Sequence, residues 1–245
     1  MYSFSSTVRY SECDERGRLS IPALVNYLQD CALFHTESLG HGINYIAQFH
    51  VAWYLAAWQI QIERRPVFAE NLTVSTWCHS ISTTLAGRSF CIANDKGEEL
   101  VKADSLWFVF DTQRMRPVRV PKDEYVYLSD DERIDLPPTQ RKLKVSGTGE
   151  AQGPVVVSEE HLDTNHHVNN GQYIAIADHI IRHVDEDFEP RTVLAQYKLA
   201  ATLGDTMVPQ LYREADGYAI DLAQPDGTTF AIVRMQRLEQ KAQEN

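Results

Sequence analysis

Ten consecutive residues, His161 to Asn170, hold a carboxylate (Asp163), three amides (Asn165, Asn169, Asn170) and three imidazoles (His161, His166, His167). A buried amide or imidazole must find a hydrogen-bond partner, so such a cluster builds a poor core and reads as a solvated loop or a site. A polar turn capping a helix draws on the same residue types. The spacing speaks for a site. On an extended segment Asp163, Asn165 and His167 share one side, while Thr164, His166 and Val168 face the other. The residues that follow have a helical pattern, which puts the triplet at a helix N-terminus, where free backbone N–H groups can hold developing negative charge. A carboxylate, an amide and an imidazole beside such donors can orient a water and receive its proton during acyl transfer.

The elements that must position this triplet follow from periodicity. After it, Tyr173, Ile176, Ala177, Ile180, Ile181 and Val184 recur at helical spacing, and four strand-like runs begin at Arg191, Thr206, Gly217 and Thr228, separated by turn residues. The first half has the same order. An alternating run from Phe4 to Tyr10 precedes a turn at residues 14–18, and Ser20 with Pro22 starts a helix carrying Leu24, Tyr27, Leu28 and Cys31, with Gly40 as its stop. Residues 41–48, with Gly42 and Asn44, read as a loop. Four strands follow, with a hairpin turn at Asn94-Asp95-Lys96-Gly97. From Arg114 to Gly153 there are four prolines, many charges and no sustained period, which reads as a connection over the surface. The expected domains are 1–125, a linker over 126–149, and 150–245.

An offset of 149 lays one half on the other, pairing Asp14 with Asp163, Arg16 with Asn165, Arg18 with His167 and Leu19 with Val168. Both halves have an Asp just ahead of the long helix, and the second alone has the amide and the imidazole. A duplicated unit with chemistry kept in one copy would have this form.

Composition bounds the function. The chain has 245 residues, 43% apolar and 23% charged, as expected of an ordinary globular protein. Its net charge of -11 argues against a nucleic-acid partner. No apolar run is long enough to span a membrane and the N-terminus lacks an export pattern, so a cytoplasmic location is expected. Cys13, Cys31, Cys78 and Cys91 have no metal-ligand spacing and read as reduced thiols, most of them buried. His161, His166, His179 and His183 crowd around His167 without a recurrent metal spacing, so no metal is expected. No Ser stands in a Gly-x-Ser-x-Gly setting, which excludes an α/β-hydrolase site. Trp53, Trp58, Trp77 and Trp107 lie in apolar strands and are expected in the core or along an acyl tunnel. His35 reads as a satisfied core histidine.

The chain resembles the acyl-acyl carrier protein thioesterases, in the bacterial branch related to the plant fatty-acyl enzymes. The resemblance runs through residues 10–30, 58–66, 105–121 and 162–177; its most specific part is Asp163, Asn165, His167, Val168, Asn169, Asn170 and Tyr173. It implies an α+β fold of two tandem hotdog domains, each a long central helix wrapped by an antiparallel sheet. It also implies hydrolysis of the thioester between a fatty acyl chain and the phosphopantetheine arm of acyl carrier protein, with no cofactor. Carried over by residue, His167 is the imidazole acting on water or carbonyl, Asn165 the orienting amide and Asp163 the carboxylate of the network. Either Asp163 or His167 could take the water proton. Asn169, Asn170, Tyr173 and Tyr197, with Trp53 and Trp58, are the expected substrate-binding residues. Carrier protein is acidic, and Arg114, Arg116, Arg119 and Lys122 are the expected contacts for it. Many family members have a Glu after the helix, where this chain has Ala200 in an apolar run that reads as packed. That departure keeps open a non-hydrolysing acyl-thioester binding protein, besides an acyl-CoA thioesterase on the same scaffold. The chain is expected as a monomer or a homodimer.

Overall fold

A computed structural model describes residues 1–237. Their packing divides them into two units. The first comprises residues 1–56 and 62–139. The second comprises residues 57–61 and 140–237.

In the first unit, β1 (Tyr2–Thr7) leads through a 3-10 turn to α1 (Ile21–Ser38), then α2 (Ile43–Phe49), β2 (Val51–Ile62), β3 (Asn71–Ile81), β4 (Ala86–Asn94), β5 (Glu99–Asp111) and the short β6 (Arg116–Val118). The strands run in the order β1-β3-β4-β5-β2. The helix α1 starts where the sequence places it: Ser20 Oγ accepts from Ala23 N at 3.3 Å, and Pro22 occupies the first turn, where a missing N–H costs nothing. Its face of Ile21, Leu24, Val25, Leu28 and Cys31 is buried, and it packs on β1 and β3. The stretch expected as a loop contains α2. That helix has only seven residues, too few for periodicity to separate it from a turn.

The second unit repeats the plan. It opens with two short strands, β7 (Glu150–Ala151) and β8 (Val155–Val156). They precede α3 (Asn170–Val184), β9 (Thr192–Tyr197), β10 (Thr206–Glu214), β11 (Gly217–Ala223) and β12 (Thr229–Gln236). The order is β9-β12-β11-β10-β7, all antiparallel, and residues 57–61 of β2 pair with β9. Tyr173, Ile174, Ala177 and Ile181 are buried, and α3 packs on β11 and β12. Each unit is a central helix wrapped by an antiparallel sheet, the hotdog fold, so the chain is an α+β tandem of two hotdog units.

The connection is not a free strap. Residues 126–139 of the expected linker are tied to the first unit: Tyr127, Ile134 and Leu136 are buried, and Trp77 Nε1 donates to Glu132 O at 2.7 Å. Arg133 Nη2 and Thr139 Oγ1 donate to Asp104 Oδ2 at 2.9 and 2.7 Å. Burial alone would raise the Asp104 carboxyl, but bonds from His79, Thr139 and Arg133 outweigh it and hold it below the usual range. Of the four cysteines, all free thiols, Cys31 and Cys78 are buried and Cys13 and Cys91 half-buried. His35 packs as expected of a satisfied histidine, its Nδ1 2.9 Å from Arg88 Nη1.

Candidate active site

Residues 163–167 form a tight turn, so the extended alternation read from the sequence does not hold. Asp163 N donates to His167 O at 2.8 Å and His166 N to Asp163 O at 3.0 Å. Closing this turn takes a residue in the left-handed region, and His166 fills it at φ 61°. The triplet is assembled by the carboxylate instead. Asp163 Oδ1 accepts from Asn165 N at 2.8 Å and His167 N at 3.4 Å, which fixes both residues relative to itself. Among the described residues the bonds to the Asp163 carboxylate fall on Oδ1 and none on Oδ2. Asp163 and His167 are half-buried and Asn165 is exposed, so the cluster lies open to an incoming substrate.

Flanking bonds anchor the turn. Leu162 and Val168 form a bridge, Val168 N donates to Ala201 O at 2.9 Å, and His167 bridges Thr202. Asn169 is the N-cap of α3: its Oδ1 accepts from Gly171 N at 2.8 Å and its carbonyl from Gln172 N at 2.9 Å. Of the first-turn donors this leaves Asn170 N–H, one group where several were expected. Tyr173, 2% exposed, accepts from Ala201 N at 2.9 Å through its hydroxyl. Tyr197 donates its hydroxyl to Asn170 O at 2.9 Å, and the two rings meet edge to face at 5.7 Å. Burial pushes the Tyr173 hydroxyl up to about 12 and raises that of Tyr197, so both are protonated at neutral pH. Asn169, Asn170, Tyr173 and Tyr197 therefore hold the helix start and the segment 197–202 against the turn.

The first unit carries the same construction. Asp14 N donates to Arg18 O at 2.8 Å, Gly17 N to Asp14 O at 2.9 Å, and Gly17 takes the left-handed position at φ 70°. Asp14 Oδ1 accepts from Arg16 N at 2.9 Å and Arg18 N at 3.0 Å. Leu19 N donates to Pro66 O at 2.7 Å as Val168 N does to Ala201 O, and Arg18 bridges Val67 as His167 bridges Thr202. The residue before Pro66 is Arg65, and the residue before Ala201 is Ala200. Arg65 Nη2 lies 2.7 Å from Asp14 Oδ2 in a buried ion pair. Burial works to raise the Asp14 carboxyl, but the Arg18 N–H and the Arg65 guanidinium outweigh it and keep it below the usual range. At the matching place Ala200 carries no charge. It is exposed, while Ala201 is fully buried, so the expectation that position 200 is packed is corrected.

The sequence pattern of the acyl-ACP thioesterase N-terminal domain matches residues 1–128, just over half of the chain. The chain belongs to the acyl-ACP thioesterase family. Its relatives include an acyl-[acyl-carrier-protein] hydrolase, FATB3, of Cuphea viscosissima, 25% identical over 189 residues that make up 70% of this chain and 44% of the relative. The oleoyl-acyl carrier protein thioesterase of Coriandrum sativum is 26% identical over 216 residues, 80% of this chain and 58% of the relative. The chain thus spans about half the length of the curated relatives it matches. Among solved structures, an acyl-ACP thioesterase from Bacteroides thetaiotaomicron shares the fold, with a TM-score of 0.84, 20% identity and 96% of each chain covered. The family match lies ahead of the turn at Asp163, whose assignment rests on residues and geometry.

The other expected residues distribute as follows. Trp58 is fully buried in β2, among the residues counted with the second unit. Trp53 belongs to the first unit, where its Nε1 donates to Glu124 Oε2 at 2.5 Å at the wall of a cavity. Arg114, Arg116, Arg119 and Lys122 are all exposed on the first unit; Arg114 lies 3.7 Å from Asp111. Sequence reading missed Arg88 and Glu124, charged residues buried at that same cavity. The available signal was Arg88 standing alone in the strand run Gly87 to Ile92. No helix among the described residues is long and apolar enough to cross a membrane. Among the described residues no group of three or more His, Cys, Asp or Glu could hold a metal ion.

Proposed function

We propose that the chain hydrolyses the thioester of fatty acyl-acyl carrier protein, releasing free fatty acid, and that Asp163, Asn165 and His167 carry the reaction. The observation that supports this most is the unpartnered Asp163 Oδ2, in a turn whose counterpart in the first unit has the same oxygen capped by Arg65. An ionised carboxylate only accepts, so Oδ2 can hold and orient a water through one of its hydrogens. His167, joined to Asp163 through its backbone N–H, takes a proton from that water as the oxygen attacks the thioester carbonyl. Asn165 donates its amide to the substrate, and the Asn170 N–H at the start of α3 stabilises the developing oxyanion. When the carbon–sulfur bond breaks, the imidazolium returns its proton to the leaving thiolate, and one water yields one carboxylic acid and one thiol. No cofactor enters these steps.

Beyond the Asn170 N–H, the substrate-binding roles of Asn169, Asn170, Tyr173 and Tyr197 are indirect in this reading: they hold the turn against the strand segment after β9. The exposed Arg114, Arg116, Arg119 and Lys122 are the proposed contacts for the acidic carrier protein. Four free thiols suit a reducing, cytoplasmic setting, and the chain acts as a monomer or a homodimer. The test compares thiol release from one acyl chain on carrier protein and on CoA, at low and raised salt. The carrier-bound substrate should be faster and lose its advantage as salt rises. Equal rates without salt dependence would move the assignment to acyl-CoA. Stoichiometric binding of thioester without thiol release would make the chain a binding protein.

A further inference from the structure

The first unit has a cavity of about 70 Å³ bounded by α1, α2 and strands β2 to β5. Its wall is largely apolar, with Ile46, Val51, Trp53, Cys78, Ala86 and Trp107. Two charged side chains stand in that wall. Glu124, 1% exposed, is well served: Oε1 is 3.1 Å from His41 Nδ1 and Oε2 accepts from Trp53 Nε1. Arg88 is not.

Arg88 is 8% exposed and takes part in no ion pair among the described residues. Its Nη1 lies 2.9 Å from His35 Nδ1 and donates to Thr76 Oγ1 at 3.2 Å, and the Tyr127 ring centre lies 5.5 Å from its guanidinium carbon. A guanidinium only donates, so His35 Nδ1 is the acceptor and the imidazole is neutral. Burial, then the charge of Arg88, pushes His35 down to about 4, so the ring stays neutral at physiological pH. Among the described residues the hydrogen bonds of Arg88 are those of Nη1, and Nε and Nη2 make none. Arg88 lines the cavity, and these are the donors it has to offer there. Neutral acceptors and an aromatic face offset only part of the cost of burying a cation, which ordinarily demands an anion.

We propose that this cavity binds the carboxylate end of an aliphatic ligand, the anion accepting side by side from Nε and Nη2 of Arg88. Such a paired geometry is what the planar guanidinium offers a carboxylate. The alkyl stem lies on Trp53, Trp107 and Ile46. At roughly 10–15 Å³ per water, the space holds about five waters, which is a carboxylate with a few methylenes. Glu124 in the same wall disfavours a more highly charged head such as phosphate. A free fatty acid and an acyl chain ending in a second carboxyl share this chemistry.

Tryptophan fluorescence of the whole chain, with Trp53 and Trp107 in the cavity wall, reads binding without any thioester present, so the result is independent of the hydrolytic assignment. The probes are decanoate, decanol and the monomethyl ester of sebacic acid. Wild type should bind decanoate at least about tenfold more tightly than decanol. A preference for decanoate over the half-ester identifies the free acid as the source; equal binding extends the site to carboxyl-ended acyl chains. Arg88→Met should weaken decanoate at least about tenfold, leave decanol unaffected and keep or raise the melting temperature of the ligand-free protein, because an unpaired buried charge has gone. Should Arg88→Met fail to fold, the wild-type comparison of decanoate with decanol decides alone. Decanoate bound no better than decanol by wild type, or undiminished by Arg88→Met, would overturn the proposal.

Discussion

The turn at Asp14 and the turn at Asp163 share the backbone bonds that close them, yet in one the second carboxylate oxygen is capped by an arginine and in the other it is not. In both, the Asp carboxylate uses one oxygen to gather two backbone N–H groups. The second oxygen makes the difference. In the first unit Arg65 covers it at 2.7 Å in a buried pair, and the turn is a structural joint. In the second the matching residue is Ala200, and in the proposed reaction the oxygen holds water. The fold therefore accounts for the aspartate in both places, and chemistry asks only that the neighbouring arginine be absent and that an amide and an imidazole stand at the next two alternate positions. An aspartate common to two repeats is thus evidence of shared architecture before it is evidence of catalysis.

The comparison can be broken in several places. The largest effect expected is on turnover: His167→Ala should lower thioester hydrolysis at least about a hundredfold, the usual worth of a positioned acid or base, with its melting temperature near wild type. Steady-state rates on acyl carrier protein thioester check this, and a loss below about tenfold would remove His167 from the mechanism. Next is stability. Asp14→Ala should cost roughly 3–5 kcal/mol in denaturant unfolding, because it takes the carboxylate away from the buried Arg65 guanidinium. The carboxyl of Asp14 is held below its ordinary value of 3.8, so the stability it contributes is present above that pH and is lost as pH falls through the lowered folded-state value. Wild type should accordingly lose stability in that acid range while Asp14→Ala loses less; parallel acid profiles would contradict the ion-pair assignment.

Ala200→Arg sharpens the comparison by building the first turn into the second. The new guanidinium should pair with Asp163 Oδ2, lowering hydrolysis at least about tenfold while leaving the melting temperature unchanged or higher. Because Ala200 is exposed, failure of this variant to fold would show that position 200 is not the counterpart of Arg65. The smallest effect belongs to His166, which occupies the left-handed position that Gly17 holds in the first turn. His166→Gly relieves a strained backbone at the cost of chain entropy, so stability should stay within about 1 kcal/mol of wild type. Activity should hardly change, and a large loss would bring His166 into the site.

Much of this was legible in the sequence. Ser20 with Pro22 marked the start of α1, and apolar periodicity marked α1, α3 and nine of the strands, because local capping and patterning agree with the fold there. The duplication was visible too, through an offset of 149. That single offset hid the decisive residue: between the helices and the segments before Pro66 and Ala201 the offset falls to 135, so Arg65 and Ala200 do not align until the backbone bonds pair them. The alternation of Asp163, Asn165 and His167 named three residues that the fold does gather, through a turn and not along an extended segment. A turn and an extended strand can both place such residues close, and only the φ of 61° at His166 separates them. The anchoring of the connection by Arg133 on Asp104 was beyond sequence reach, since the partners lie 29 residues apart with no local pattern joining them.

The central claim, that the open aspartate does the chemistry and the capped one does not, is tested most directly by the initial rate of thiol release from acyl carrier protein thioester by Asp163→Asn. This substitution keeps the oxygen that gathers Asn165 N and His167 N but removes the charge that orients water. The account predicts at least about a hundredfold loss of rate with the melting temperature preserved. A folded Asp163→Asn that hydrolyses at the wild-type rate would contradict it.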